Sequence, residues 1–421
     1  MRSPPHVSVV IVSHNRPKNL RRLLVSLRYL TYPDFEVIVV SDINPIEVFP
    51  DLWHVGRIKF TALESPSIAI ARNRGLKMAS GDIVAFCDDD AVPEPTWLSH
   101  LVAPFDDTKV GAAGGHVRGR NGFSFQSKAR CFDRFGRERE LRLEGTEPRV
   151  FPGTEDLGIK TEGTNCAFRR AALIELGGFD PAYHYFLDET DLNYRLGLAG
   201  WKTAIVPLAQ VHHGHAASEN RSANQAPKTL FEVGASKGYF MARHGYPAGV
   251  ALAAEAFCAE QKNRLIEFMV RGELALEKIP ALMTSLKRGL AEGRTRTGNK
   301  LILTMAGGKG FHPFQNGISP SETIYIAGPA RVANKMKNTA IEHAKHGELA
   351  TVLQFSWTAL LHRQVFMDCG YWLQTGGIFG RLRQSDSFFS FRNLSSRAVS
   401  EMRRLNDVRP RGKLVLWKET D

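Results

Sequence analysis

"HVSVVIVSHNRPKNLRRLLVSLRYL", residues 6–30, decides the fold. Its first eight residues are a nearly continuous β-branched run, the mark of a strand buried on both faces of a parallel sheet. The leucines after Pro17 recur at helical spacing, so the stretch reads as one βα unit. Working outward, "DFEVIVVSD" (34–42) predicts a second strand and "RIKFTAL" (57–63) a third. "PSIAIARNRGLKMA" (66–79) predicts a helix stopped near Ser80-Gly81, and "DIVAFCD" (82–88) a fourth strand. Alternating strands and helices predict an α/β fold with a doubly wound, mostly parallel sheet. Ligands of such sheets bind beyond the carboxyl ends of the strands, where Ser13, Asp42 and Asp88 fall.

The fourth strand runs into Asp88, Asp89 and Asp90, and Pro93 and Pro95 then end regular structure. Three adjacent carboxylates repel, and burying one unpaired is costly. Either water solvates them as a turn, or a cation sits there; Mg²⁺ and Mn²⁺ take oxygen ligands and often bridge to phosphates. A second acidic cluster, Asp188, Glu189 and Asp191, opens a helix with Leu192, Leu196 and Ala199 on its buried face and Gly200 at its end. Acidic residues in a first turn also serve simply as dipole-favourable caps. "PLAQVHHGH" (207–215) then offers His212, His213 and His215, and an imidazole can complete the shell of a borderline metal.

The rest of the composition is that of a globular chain: 421 residues, 43% hydrophobic and 23% charged. Cysteines 87, 131, 166, 258 and 369 have no metal-ligand spacing and read as free thiols of a reducing compartment, which with the absence of a signal-peptide core predicts a cytoplasmic protein. Residues 1–214 hold 26 basic and 26 acidic residues, so the whole net charge of +12 lies beyond them. A basic half beside a neutral one suits an anionic membrane face or another polyanion, or simply aids solubility.

The stretches "VSVVIVSHNRPKNLRRLLVSL", "VVSD", "AIARNRGLKMASGDIVAFCDDD", "EGTNCAFRRAALIELGGFD", "DETDLNYRL" and "PLAQVHH" occur in the order and spacing of family 2 glycosyltransferases. Over residues 6–215 the chain resembles the inverting, GT-A-fold members that use nucleotide-diphosphate sugars. The resemblance implies that Ser13, Asn15 and Arg16 line the nucleotide base and that Asp42 accepts a hydrogen bond from it. It implies that Arg72 and Asn73 lie beside base and phosphate, and that Asp88 and Asp89 belong to the donor site. Asp90, in the family's Asp-x-Asp motif, would ligate a divalent cation, Mn²⁺ or Mg²⁺, with Asp88 bridging and His213 as the later histidine ligand; His212 fits if the register slips by one. Thr164 and Asn165 match a loop lining the donor-sugar or acceptor pocket, and Gly177–Asp180 a structural turn feeding it. The general base falls on Glu189, with Asp188 beside it and Asp191 an acceptor-site or helix-start residue. This chain reverses the commoner Glu-Asp order, which leaves either of the first two open as base. UDP is the default nucleotide, with dTDP and GDP open, because Asp42 fixes a base edge without naming the base.

The expected organisation is a GT-A catalytic domain (1–215), an amphipathic helical segment (216–300) and a basic, aromatic-rich region of unassigned role (301–421), the extension being mainly helical. The charged stretch 118–160 lies where family members vary and is expected to help select the acceptor. "LATVLQFSWTALLHRQVFM" (349–367) is too interrupted to span a bilayer but suits a membrane surface, and Trp357, Phe366, Tyr371, Trp372 and Phe379 read first as core. The partners expected are a nucleotide-diphosphate sugar, a glycan or lipid-linked acceptor and the inner face of the cell membrane, with no specific nucleic acid. Two alternatives stay open. A sugar-nucleotide nucleotidyltransferase shares the fold type but carries a Gly-rich loop where this chain has "SHNRPKNL"; a non-catalytic glycan- or nucleic-acid-binding protein leaves the acidic clusters without a role.

Overall fold

The computed structural model describes the chain except residues 1–3, 53, 65–66, 215–220, 223, 299–301, 304–309, 315–321, 384–385, 388 and 418–421; His215 lies outside the described residues. The first half is built on Val7–Ser13 (β1), Pro17–Leu27 (α1), Phe35–Ser41 (β2), Pro45–Val48 (α2), Lys59–Ala62 (β3), Ile68–Met78 (α3), Ile83–Asp88 (β4), Ala91–Pro93 (β5) and Trp97–Val102 (α4). Val110–Arg118 (β6), Phe125–Ser127 (β7), Arg130–Phe132 (β8), Glu138–Glu140 (β9), Arg149–Pro152 (β10), Gly158–Lys160 (β11) and Cys166–Arg169 (β12) follow. Arg170–Glu175 (α5), Asp188–Leu198 (α6) and Lys202–His213 (β13) complete it.

Strands β3, β2, β1 and β4 are parallel neighbours, as the alternation predicts; β12 then runs antiparallel between β4 and β6. Leu20, Leu23, Leu24 and Leu27 of α1 join Val7, Val9 and Ile11 in the core on one face, while Val10, Ile38 and Phe86 meet Leu76, Leu192 and Leu196 on the other. Both faces are therefore covered, which is why the strands carry almost no polar residues. Register sets the functional rim: Ser13 stands opposite Ser41, and Val12 opposite Asp88. A break in register between Val206 and Gln210 bends β13, whose last residues then pair with β5, His213 opposite Ala91.

The helical extension consists of Phe231–His244 (α7), Pro247–Val270 (α8) and Lys278–Gly293 (α9), packed around Leu265, Leu282 and Leu286. Beyond it the chain forms a second sheet that the sequence reading did not resolve. Thr323–Pro329 (β14), Leu349–Ser356 (β15), Trp372–Gly377 (β17) and Gly412–Leu416 (β18) are parallel, and Arg363–Phe366 (β16) is an antiparallel edge. Ala333–Lys345 (α10) and Leu394–Leu405 (α11) pack on this sheet. The first eight residues of the run expected at a membrane surface, Leu349–Ser356, are thus a central strand with its apolar side chains buried, whereas Trp357, Leu360 and Leu361 of the same run are exposed. Phe366, Tyr371 and Trp372 are core as expected, whereas Trp357 is exposed and Phe379 half-buried. All five cysteines are free thiols.

The second sheet is tied to the first. Arg409 donates to both carboxylate oxygens of Glu94, at 2.7 and 2.9 Å, and lies 4.2 Å over the Trp372 ring; neither charged side chain is more than 1% exposed. Trp372 also packs against the tilted His212 ring at 4.7 Å between centroids, and His212 Nε2 is 2.8 Å from the same carboxylate.

Candidate active site

The carboxyl ends of β1 and β4 open into a cavity of ≈560 Å³. Asn15, Arg16, Arg72, Asp188 and all three aspartates of the triplet line it. The triplet divides its work. Asp89 turns inward and accepts from the Ser13 hydroxyl (2.8 Å) and the Arg16 guanidinium (2.9 Å). Burial pushes its carboxyl up to about 7; Arg16 opposes this and Asp90 adds to it. Asp88 and Asp90 form a cluster with His213, with one ligand atom from each residue all within 4.8 Å of one another. His213 Nε2 lies 3.1 Å from Asp90, and its Nδ1 lies 2.9 Å from Gln126 Oε1. With Gln126 accepting, the proton stays on Nδ1 and the Nε2 lone pair is offered to a cation. Two carboxylates and an imidazole fit a borderline divalent ion such as Mn²⁺.

Arg72 couples this cluster to the second acidic group. One terminal nitrogen donates to Asp188 at 2.6 Å, the other to Asp88 at 3.4 Å and to the Gly163 carbonyl at 3.1 Å. A side chain at Gly163 would begin 2.5 Å from that guanidinium, so any larger residue there would push Arg72 out of its present position. Burial works against the charge of Arg72, but Asp188 and Asp88 more than restore it, and its pKa is raised. Leu187, left-handed at φ 65, turns the chain abruptly into α6. Asp188 consequently faces the cavity while Glu189 points to the layer of β8, β9 and β11, 3.9 Å from Lys160. Burial, then the adjacent Asp188 charge, hold the Glu189 carboxyl well above the usual carboxylate range, with Lys160 and Arg72 opposing. A carboxylate so placed is a stronger proton acceptor than one in water.

The sequence family described as "Glycosyl transferase family 2" matches residues 8–177. Residues 8–177 are a family 2 glycosyltransferase domain. The chain is 32% identical over 221 residues to pre-mycofactocin glycosyltransferase of Mycobacterium tuberculosis, covering 50% of this chain and 44% of that protein. It is 28% identical over 180 residues to glucosyl-dolichyl phosphate glucuronosyltransferase of Haloferax volcanii, covering 41% of this chain and 56% of that protein. The chain thus spans about half the length of these curated relatives. Among solved structures, mannosyltransferase PcManGT from Pyrobaculum calidifontis in complex with GDP-Man and Mn²⁺ aligns at 18% identity and TM-score 0.39, over 69% of this chain and 87% of that one.

Several residues expected in the cavity of the family 2 domain are placed elsewhere. Asn165 is fully buried; it accepts from Trp97 Nε1 and donates both amide hydrogens to the carbonyls of His116 and Ala209, so its side chain latches β12 to its surroundings. Asn73 is engaged in a two-way bond with the Phe179 backbone and holds the Gly177–Asp180 turn. Asp191 is fully buried among Arg195, His244 and Tyr183; burial alone would raise its pKa, but Arg195 foremost depresses it. It is a packing centre of α6 rather than an acceptor-site group. Asp42 holds the Asn15 amide with both oxygens at 3.1 Å, bracing the first loop. Thr164 is buried and its hydroxyl has no partner. His212 is the partner of Glu94, which separates it from the cation cluster that His213 joins.

Four residues that sequence reasoning missed, His184, Tyr185, Arg221 and Lys228, also line the cavity. Gln126 was missed as well, and only its position beside His213, 87 residues away in sequence, gives it a role.

Proposed function

We propose that this protein transfers a sugar, with inversion, from a nucleotide-diphosphate donor to a hydroxyl of a glycan or lipid-linked oligosaccharide. The observation that carries the reading is the convergence of Asp88, Asp90 and His213 within 4.8 Å at the mouth of a cavity also lined by Arg72 and Asp188. A nucleoside fits against the Asn15–Arg16 loop, and Arg72, with Arg221 and Lys228, supplies positive charge for phosphates. Mn²⁺ or Mg²⁺ held by the cluster would neutralise charge on the departing diphosphate. A carboxylate of the Asp188–Glu189 pair, Glu189 by the family resemblance, takes the proton from the acceptor hydroxyl as its oxygen bonds to the anomeric carbon; the bond to the diphosphate breaks and the electron pair leaves with it. Asp188 keeps Arg72 oriented. Residues 1–215 carry most of this chemistry, the segment 216–300 adds Arg221 and Lys228 to it, and the segment 301–421 flanks and braces it.

Calorimetric titration of UDP, dTDP and GDP, each with and without Mn²⁺, tests the donor site. One nucleotide is expected to bind in a metal-dependent manner and to lose at least about tenfold in affinity in Asp90→Asn, an effect of about 1.4 kcal/mol or more. Folded protein that binds no nucleotide under any of these conditions would overturn the donor-site reading of this cavity.

We also propose peripheral contact with an anionic membrane. Among the described residues no helix is long and apolar enough to cross one. After β15 and β17, however, Trp357 (59% exposed), Leu360, Phe389 and Phe391 (90% exposed) form an aromatic patch, with Phe379 stacked on Phe389 at 5.0 Å. Arg381, Arg383 and Arg392 belong to the same loop, a combination suited to an interface of acidic headgroups. Sedimentation with phosphatidylglycerol vesicles is expected to retain the protein and to fail for Trp357→Ser/Phe391→Ser. Equal retention of that variant, or of either protein by neutral vesicles, argues against the patch.

A further inference from the structure

A second cavity, ≈610 Å³, adjoins the first, and Tyr185 and Arg221 line both. Tyr185 stands three residues before Asp188, in the loop that delivers the acidic pair to the site. One wall is the end of α8, where Arg264, Phe268 and the C-cap residue Arg271 fall four and three apart and so share a face. The two guanidinium carbons lie 5.8 and 4.8 Å from the Phe268 ring centre. The other wall carries Arg120 and Gln126, the latter holding His213 in place. The space therefore reaches from the cation cluster's supporting layer to the helical extension.

Its charge is one-sided. Among the described residues, Arg120, Arg221, Arg264 and Arg271 line it against a single carboxylate, Glu273, which Arg271 binds at 2.9 Å. Concentrating guanidinium groups costs self-repulsion that a neutral sugar does not relieve, whereas an oxyacid anion does, through paired charge-assisted hydrogen bonds. The donor's own charge is already met in the first cavity. We propose that the second cavity receives the acceptor, and that the acceptor bears an oxyacid group, a phosphate or a carboxylate, close to the hydroxyl that is glycosylated. This rests on the transfer reading above and names its substrate class. A lipid-linked diphosphate and an acidic sugar both meet the requirement.

The test is calorimetric titration of inorganic pyrophosphate and, separately, of glucuronate into the full chain with EDTA present, so that the cation cluster takes no part. At least one probe is expected to bind, with affinity falling as salt rises, and to lose at least tenfold in Arg264→Ser/Arg271→Ser. Both arginines are exposed on α8, so this variant keeps its fold. The exposed control Arg403→Ser is expected to bind as the unaltered protein does. Pyrophosphate as the better probe identifies a phosphate-bearing acceptor, glucuronate an acidic sugar. No binding of either, or an equal loss in Arg403→Ser, overturns the inference. Mn²⁺-dependent nucleotide binding that survives such a failure leaves the donor site standing. Arginine-dependent anion binding without any nucleotide binding supports the anion site and overturns the transfer reading instead.

Discussion

Glu189→Gln is expected to lower kcat by about 10²–10⁴-fold while leaving Mn²⁺-dependent nucleotide affinity within about twofold, because a base acts on the acceptor proton and not on donor binding. Its pH dependence has a definite sign. Glu189 must be ionised to accept a proton, and burial with Asp188 beside it raises its pKa. The rate should therefore climb with pH at values above the usual glutamate value of about 4.3. Folding stability moves the other way. Between the unfolded and folded pKa values the native state holds a proton that the unfolded chain has released, so stability falls as pH rises through that window. Glutamine cannot ionise, and the variant should be the more stable protein above the window while being nearly inactive. Steady-state rates and urea midpoints from pH 5 to 9 check both parts. If Glu189→Gln keeps its rate while folded Asp188→Asn is inactive with normal nucleotide binding, the base is Asp188.

Arg409→Met should destabilise the whole chain by about 3–5 kcal/mol, the range for removing one partner of a buried ion pair. The variant strands the Glu94 carboxylate, at 1% exposure, with only His212 for company. Burial alone would raise the pKa of Glu94; Arg409 and then His212 outweigh it and hold it well below the carboxylate range. That contribution to stability is present above the unfolded value of about 4.3 and disappears as pH falls toward the depressed one. Without Arg409 the sign reverses: burial then raises the Glu94 pKa, so the variant loses stability as pH rises through that raised value and its deficit against the parent narrows at low pH. Glu94→Gln/Arg409→Met should regain most of the stability, since no stranded charge remains. A urea transition of Arg409→Met within 1 kcal/mol of the parent, by the scale of ordinary surface changes at about 0.5 kcal/mol, would mean that the bridge is solvated.

The parallel core was legible because its strands are buried on both faces and its helices carry leucines on one: β1 to β4, α1, α3 and α6 lie where the periodicities put them. The acidic triplet and the histidine were legible from type, order and family resemblance, and the fold brings Asp88, Asp90 and His213 together across 125 residues of chain. Side-chain direction was not legible. Asn165, Asn73 and Asp191 stand beside cavity residues in sequence but point into packed backbone or buried arginine, and nothing in a one-dimensional pattern distinguishes the two directions. The second sheet was missed for a related reason. "LATVLQFS" is equally a buried strand or an apolar helix until its neighbours at 323–329 and 372–377 are known, and parallel pairing leaves no local turn to announce them. Gln126 and the arginine face of α8 acquire meaning only from what they stand next to.

The bridge between Glu94 and Arg409 also sets a timetable. The two residues are 315 positions apart, and ribosomes add about 5–20 residues per second, so roughly 15–60 s pass between the synthesis of one partner and the other. In the later part of that interval, once residue 177 has been added, the family 2 domain is fully synthesised yet holds a carboxylate whose counter-charge has not been made. The nascent domain must keep the Glu94 region hydrated and open until the last sheet arrives. The β5–β13 corner, where His213 pairs with Ala91, is therefore expected to be among the last parts of the molecule to close. Nascent chains stalled short of Arg409 should remain protease-sensitive around residues 91–95, and chains released past it should not.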